Sequence, residues 1–289
     1  MTLTKQSPCK VNLLLNILGR RPDGFHELES VMQPLSVCDE MSFERKDGRI
    51  RLTCSDPSLP ADSTNLAYRA AWSFLERGGI SGGVQIHLEK RIPMAAGLGG
   101  GSGNAATTLL ALNELFDRPL GSNQLHEIAA SLGSDVPFFL QSNPALATGR
   151  GEKIKPLQPF RALAGSAVLL VHPGFGIATA WAYRELARFP TALSGERGRA
   201  VKLMSELDAG DLRRAASHFY NSLEAPALAK YPWLAVLQDF LRENGAVVSL
   251  MSGSGSTVFA IALDCCGAQE LEERVKEKFG RCWTAVVAL

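Results

Sequence analysis

Between Pro93 and Ala106 the chain reads PMAAGLGGGSGNAA, placing glycines at 97, 99, 100, 101 and 103. The apolar positions that follow, Ala105, Leu109, Leu112 and Phe116, keep a helical period, and a strand-like alternation from Val84 to Leu88 precedes. A glycine loop between a strand and a helix turns backbone N–H groups toward the positive end of a helix dipole, the arrangement that holds phosphate. Each glycine costs roughly 0.5–1 kcal/mol relative to Ala in regular structure, so tight packing alone is a poor reason for such a run. A Walker A loop needs a Lys after its glycines, and none follows here. A dinucleotide G-x-G-x-x-G fails as well, because Ser102 and Asn104 stand where its third glycine is required. Protein-kinase H-R-D and D-F-G motifs are absent. A second small-residue loop, Ser252-Gly253-Ser254-Gly255-Ser256, reads as a hairpin turn or as a support for the first.

Other residues of chemical interest lie apart in sequence. In the alternating stretch 10–17, Lys10, Asn12 and Asn16 share one strand face and Val11, Leu13, Leu15 and Ile17 the other, so a cation and an amide at i and i+2 reach one ligand together. Taken alone, Lys10 is a solvated surface lysine. Asp135, in Gly133-Ser-Asp-Val-Pro137, is either a helix cap or a functional carboxylate. Phe25 and His26 leave a turn built from Pro22-Asp23-Gly24, and in isolation read as a core ring and a satisfied polar group.

The elements around these residues follow from period and punctuation. A β-rich patch covers Met41 to Leu52, and a Pro-rich loop runs from Asp56 to Asp62. A helix capped by Ser63 or Thr64 and closed by Gly78-Gly79 buries Ala67, Ala70, Ala71, Phe74 and Leu75. Leu125, Ile128, Ala129 and Leu132 form a short helix ended by Gly133. Lys155-Pro156-Leu157-Gln158-Pro159 is the expected domain boundary, and Phe189 to Arg199 an exposed, mobile loop. The chain closes with a strand at 247–251, another at 257–263, a helix over 268–279 and a strand at 282–288.

Composition excludes several classes. The 289 residues, 46% hydrophobic and 20% charged, suit a compact soluble protein of one or two domains. With a net charge of +1, no global field favours nucleic acid or an anionic membrane. No apolar run approaches the roughly 20 residues of a membrane span, and the N-terminus lacks a signal-peptide pattern, so a cytoplasmic location is expected. Six scattered cysteines, with no C-x-x-C pair, read as small buried hydrophobes.

The segment 93–106 resembles the central motif of the GHMP kinases, which bind ATP on such a loop. Lys10-Val-Asn-Leu13 followed by Pro22-Asp-Gly-Phe-His-Glu-Leu28, then Gly133-Ser-Asp-Val-Pro-Phe-Phe139 and Met251-Ser-Gly-Ser-Gly255, are similar to further motifs of that family in the same order. Together they resemble the members that transfer the ATP γ-phosphate to the 2-hydroxyl of a cytidyl-linked methylerythritol, a step of the non-mevalonate route to isoprenoid precursors. The alternative within the family is a homoserine, mevalonate or sugar kinase; outside enzymes, it is a nucleotide-binding regulator without turnover, against which Lys10 and Asp135 argue.

The resemblance implies an α+β fold of two domains, 1–155 and 156–289, with the active site in the cleft between them. It also implies ATP and Mg2+ as cofactors, a small-molecule substrate, and a monomer or homodimer with no nucleic-acid or membrane partner. By the same resemblance Asp135 accepts the hydroxyl proton and Lys10 places positive charge beside the γ-phosphate. ATP falls to Pro93, Met94, Ala95, Ala96, Gly97, Leu98, Gly99, Gly100, Gly101, Ser102 and Gly103, with Asn65 and Lys90 at the adenine. Ser102 is the hydroxyl expected toward phosphate or Mg2+, and Gly103, where the family often has Ser or Ala, is expected to add backbone freedom. Asn12, Phe25, His26, Thr179 and Tyr183 take the substrate, with Phe25 and Tyr183 as two rings about cytosine. Phe25 stands where Tyr is frequent, keeping the stacking face and losing a hydroxyl.

Overall fold

A computed structural model describes residues 2–289. In chain order it runs β1 (Thr2–Arg20), β2 (His26–Lys46), β3 (Arg51–Cys54), α1 (Leu66–Arg77), β4 (Gly83–Glu89), α2 (Gly100–Leu115), α3 (Ser122–Leu132), β5 (Ala145–Gly149) and β6 (Lys153–Pro156). The order continues with β7 (Ala167–His172), α4 (Thr179–Glu185), α5 (Pro190–Leu193), α6 (Arg199–Ala209), α7 (Leu212–Ala215), β8 (Tyr220–Asn221), α8 (Glu224–Lys230) and α9 (Pro232–Glu243). It closes with β9 (Val248–Met251), β10 (Val258–Ala262), α10 (Cys265–Phe279) and β11 (Trp283–Ala288). Strands and helices are mixed through both halves, which is the expected α+β class.

The chain forms two compact units, each discontinuous in sequence. Among the described residues the first comprises 2–9, 36–92 and 99–142, and the second 10–35, 93–98 and 143–289. The expected division near residue 155 is linear, whereas the second unit also takes in two earlier segments. The reason lies in β1 and β2, which at 19 and 21 residues are far longer than an ordinary strand of about five or six and so serve both units.

In the first unit the later half of β2 pairs antiparallel with β4, which pairs parallel with β3. Helices α1 and α2 pack together. The α1 stripe Ala67, Ala70, Ala71, Phe74 and Leu75 is buried as its period requires. Residues 103–109, 111 and 112 of α2 are buried, so this helix is enclosed nearly all round. The α1 cap is Asn65 rather than Ser63 or Thr64. Its Oδ1 accepts from the Ala67 amide at 2.9 Å, while Thr64 donates its own amide and hydroxyl to Asp62 Oδ1.

In the second unit the early half of β2 pairs antiparallel with β5, β5 with β6, and β1 runs parallel to β8. A separate antiparallel sheet has the order β11-β7-β10-β9. Its core joins Leu169, Val171, Val258 and Ala260 to Leu234, Leu237 and Leu241 of α9 and Leu271 and Val275 of α10. Lys155 and Pro156 belong to β6 instead of a linker. Residues 189–199 are not a free loop. Pro190 opens α5, Ala192 is buried, the Gly195 amide donates to Ile17 O, and Asn16 Nδ2 donates to Glu196 O. The cysteines also depart from expectation: Cys9 alone is buried, while Cys265 and Cys266 are exposed. Among the described residues no helix is long and apolar enough to cross a membrane.

Candidate active site

Within the second unit, residues 93–98 are held by their carbonyls. Ala95 O accepts from the Ile177 amide, Ala96 O from the Thr257 amide, and Leu98 O from the Lys10 amide, at 2.9–3.2 Å. Gly97 O accepts twice, from Lys10 Nζ at 3.2 Å and from Ser252 Oγ at 3.0 Å. Ala95, Gly97 and Gly99 all have positive φ, at 51°, 78° and 70°. A Cβ on Gly97 would collide with the Ser252 carbonyl oxygen, so this glycine permits a close approach as well as a turn.

Lys10 is 3% exposed, which sets aside the surface-lysine reading. Its Nζ donates to Asn12 Oδ1 at 2.6 Å, so the i, i+2 pair expected from strand alternation forms, and Asn12 Nδ2 passes on to Ser30 Oγ at 2.8 Å. The loop 252–257 joins β9 to β10 as a hairpin and also lies on residues 96 and 97. Both readings of that loop hold together.

The Phe25–His26 pair leaves a braced turn. Gly24 adopts φ 85°, Phe25 donates its amide to Asp23 Oδ1, and Arg21 donates to Asp23 and to Glu27, the latter at 2.6 Å. Phe25 is 50% exposed, and the Arg150 guanidinium lies 4.6 Å above its ring. His26 packs on Tyr183 with ring centroids 5.1 Å apart. Tyr183 thus lies against His26. Burial first, and the Arg20 charge second, hold His26 below the ordinary imidazole value. Thr179 begins α4 one turn before Tyr183, and its hydroxyl meets Ser254 Oγ at 3.0 Å.

In the first unit, α2 starts at Gly100 with Gly99 as a left-handed N-cap. The amides of Gly100, Gly101 and Ser102 occupy its first turn, where no intrahelical carbonyl reaches them. Gly103 is correctly glycine for a reason opposite to backbone freedom. A Cβ there would sit 2.5 Å from Pro8 O and 3.2 Å from Ser7 Oγ, and Phe139 lies beyond at 3.7 Å. Asp135 is half-buried, in a turn closed by the Val136 amide on Gly133 O. The following 3-10 turn, Pro137–Leu140, takes Val136 as its cap position, so Asp135 is not the cap residue.

Asp39 is the residue that sequence reasoning missed. It is wholly buried, and its Oδ1 accepts from the amides of Arg91 and Ile92, each at 2.8 Å. Its Oδ2 accepts from Lys90 Nζ at 2.6 Å and Asn104 Nδ2 at 2.9 Å, while Asn104 also donates to Ser7 Oγ. Lys90 is therefore a buried ion-pair partner, its side chain 6% exposed, whose Nζ lies 3.3 Å from where a Gly100 Cβ would be. Asn65 likewise spends its side chain on the α1 cap and on Pro60 O. A signal for Asp39 existed: it falls on the strand face of Leu35, Met41 and Phe43, where alternation calls for an apolar side chain.

Family models for the GHMP kinase N-terminal and C-terminal domains match residues 65–143 and 200–281. A protein of Acaryochloris marina called 4-diphosphocytidyl-2-C-methyl-D-erythritol kinase is 41% identical, over 90% of this chain and 86% of its own. One of the same name from Pelotomaculum thermopropionicum is 40% identical, over 96% of this chain and 94% of its own. A crystal structure titled 4-(cytidine 5'-diphospho)-2C-methyl-D-erythritol kinase superposes with a TM-score of 0.81 at 36% identity, covering 99% of this chain and all of that one. The chain belongs to the GHMP kinase family, within the group of the 4-diphosphocytidyl-2-C-methyl-D-erythritol kinases.

Proposed function

We propose that this kinase transfers the γ-phosphoryl group of ATP to the 2-hydroxyl of 4-diphosphocytidyl-2-C-methyl-D-erythritol, with Lys10 and Asp135 as its catalytic residues. The observation that carries the reading is the anchoring of residues 95–98 by four successive carbonyls, with the Lys10 ammonium bound at the third. That anchoring fixes the strand-side half of the loop, and the unpaired first-turn amides of α2 supply donors for phosphate oxygens.

In the step proposed, the substrate hydroxyl gives its proton to the Asp135 carboxylate as its oxygen attacks the γ-phosphorus. The bond to the β,γ-bridging oxygen breaks, and ADP departs with the electron pair. The transition state is loose, so the work of the protein is positioning and charge stabilisation, the latter falling to Lys10 and the loop amides. Mg2+, when it accompanies the nucleotide, neutralises phosphate charge. Among the described residues no cluster of three or more His, Cys, Asp or Glu side chains could hold a metal. Ser102 is the protein oxygen proposed to reach that ion or the phosphates.

For the cytidyl end, the half-exposed Phe25 offers a stacking face and the neutral His26 a ring nitrogen for the base edge, with Asn12, Thr179 and Tyr183 beside the substrate. At the adenine end, Asn65 and Lys90 are proposed to shape the nucleotide site while serving the α1 cap and Asp39. A coupled ADP-release assay across the cytidyl-linked alcohol, free methylerythritol, homoserine and mevalonate tests the reading. Turnover with the cytidyl compound alone is expected; preference for another alcohol would replace the substrate and leave the kinase chemistry standing.

A further inference from the structure

Asn221 takes no part in the chemistry above, yet it is 2% exposed and uses its whole side-chain amide. Both N–H donors of Nδ2 are engaged, on Met251 O and Gly253 O, each at 2.8 Å. Its Oδ1 accepts from the Leu223 amide at 2.9 Å. The two carbonyls flank Ser252, whose hydroxyl donates to Gly97 O, the oxygen that also receives Lys10 Nζ. Gly253 lies on the lysine itself: a Cβ there would be 2.9 Å from Gly97 O, 3.3 Å from Lys10 Nζ and 3.4 Å from Asn12 Oδ1. Asn221 is level with Leu15 in the parallel pairing of β8 with β1, the strand that carries Lys10 and Asn12.

The Asn221 side chain thus ties the loop to β8, the strand that pairs with the strand of the lysine. A primary amide suits this task because it presents two diverging N–H donors without charge; a hydroxyl has one, and a carboxylate has none. A second tie comes from Glu224, which accepts from the Met251 amide at 2.8 Å.

We propose that Asn221 is a positioning residue for phosphoryl transfer, holding the 251–253 backbone so that Ser252 and Gly97 O set the place of the Lys10 ammonium. This rests on the catalytic role given to Lys10 above. Asn221 touches no reacting atom; its effect passes through the loop to the lysine.

Steady-state kinetics of the full chain test it with Asn221→Ala and Asn221→Ser, each made in the native background and in Lys10→Met. In the native background Asn221→Ala is expected to lower kcat by about 10–100-fold, with KM for ATP and for the cytidyl substrate changed by less than about 3-fold. Asn221→Ser keeps one donor and is expected to lie between, at about 3–10-fold, and it carries the test if the alanine variant does not fold. In Lys10→Met the same substitutions are expected to cost less than about 2-fold more, because the group they position is gone. Equal fold-losses in both backgrounds, or an unchanged native kcat, would overturn the proposal. Full turnover by Lys10→Met alone would instead remove the role assigned to the lysine, and the positioning claim with it.

Discussion

Replacing Asp39 by Asn changes one oxygen to an NH2 group in a fully buried site that holds four donors. If the remaining oxygen keeps the Arg91 and Ile92 amides, the new amide faces Lys90 Nζ and Asn104 Nδ2, setting donors against donors. The Lys90 ammonium, its side chain 6% exposed, is then left without its counter-charge. Removing one partner of a buried ion pair costs about 3–5 kcal/mol, a large share of the roughly 5–15 kcal/mol that stabilises an ordinary domain. At roughly 2.1 cal/mol/K per residue, the loss lowers the melting temperature by about 5–8 °C if the 289 residues unfold together. Differential scanning calorimetry of the single variant and of Asp39→Asn/Lys90→Met reads both halves of the reasoning. The double variant keeps an oxygen for the two backbone amides and deletes the stranded ammonium, so it is expected to recover more than half of the loss. A single-variant loss below about 1 kcal/mol, or a double variant no better than the single, would refute the assignment of Asp39 and Lys90 as a coupled structural pair.

Gly103→Ala places a methyl 2.5 Å from Pro8 O and is expected to cost about 1–3 kcal/mol in urea unfolding, whereas a purely conformational glycine would give a neutral or stabilising change. Phe25→Ala removes a stacking face worth about 1–3 kcal/mol, so KM for the cytidyl substrate is expected to rise by about 5–150-fold with KM for ATP unchanged; equal rises would place the ring elsewhere. Because burial and Arg20 hold His26 below the ordinary imidazole value of about 6.5, the ring is neutral at pH 7. KM for the cytidyl substrate is then flat at neutral pH and rises only as pH falls through the depressed midpoint, where protonation removes the acceptor nitrogen. The stability linkage has the same sign, with stability lost as pH falls below the unfolded value of about 6.5. A KM that rises as pH climbs through 7 would contradict the neutral assignment.

Much of the site was legible because its signals are local. Strand alternation at 10–12 sufficed to pair Lys10 with Asn12, turn chemistry at 22–24 to deliver Phe25 and His26, and glycine spacing with an apolar period to place the loop before α2. What escaped depends on distant partners. Asp39 shows in sequence as a carboxylate on an apolar strand face, but its four donors lie 51 to 65 residues away. Gly103 was expected to loosen the backbone, and only the approach of Pro8 O shows that it is there for space. Asn221 sits in a two-residue strand with no period to read, and serves carbonyls 30 and 32 residues on. The interleaved units follow from strands too long for one unit, a length that alternation over 10–17 does not reveal.

Single-turnover transfer from ATP to the cytidyl alcohol by Asp135→Asn bears most directly on the proposed chemistry. The carboxamide keeps the size of the side chain and cannot take the hydroxyl proton, so the transfer rate is expected to fall roughly 10²–10⁴-fold with ATP affinity little changed. A rate near that of the native chain would take Asp135 out of the reaction and leave the base unassigned.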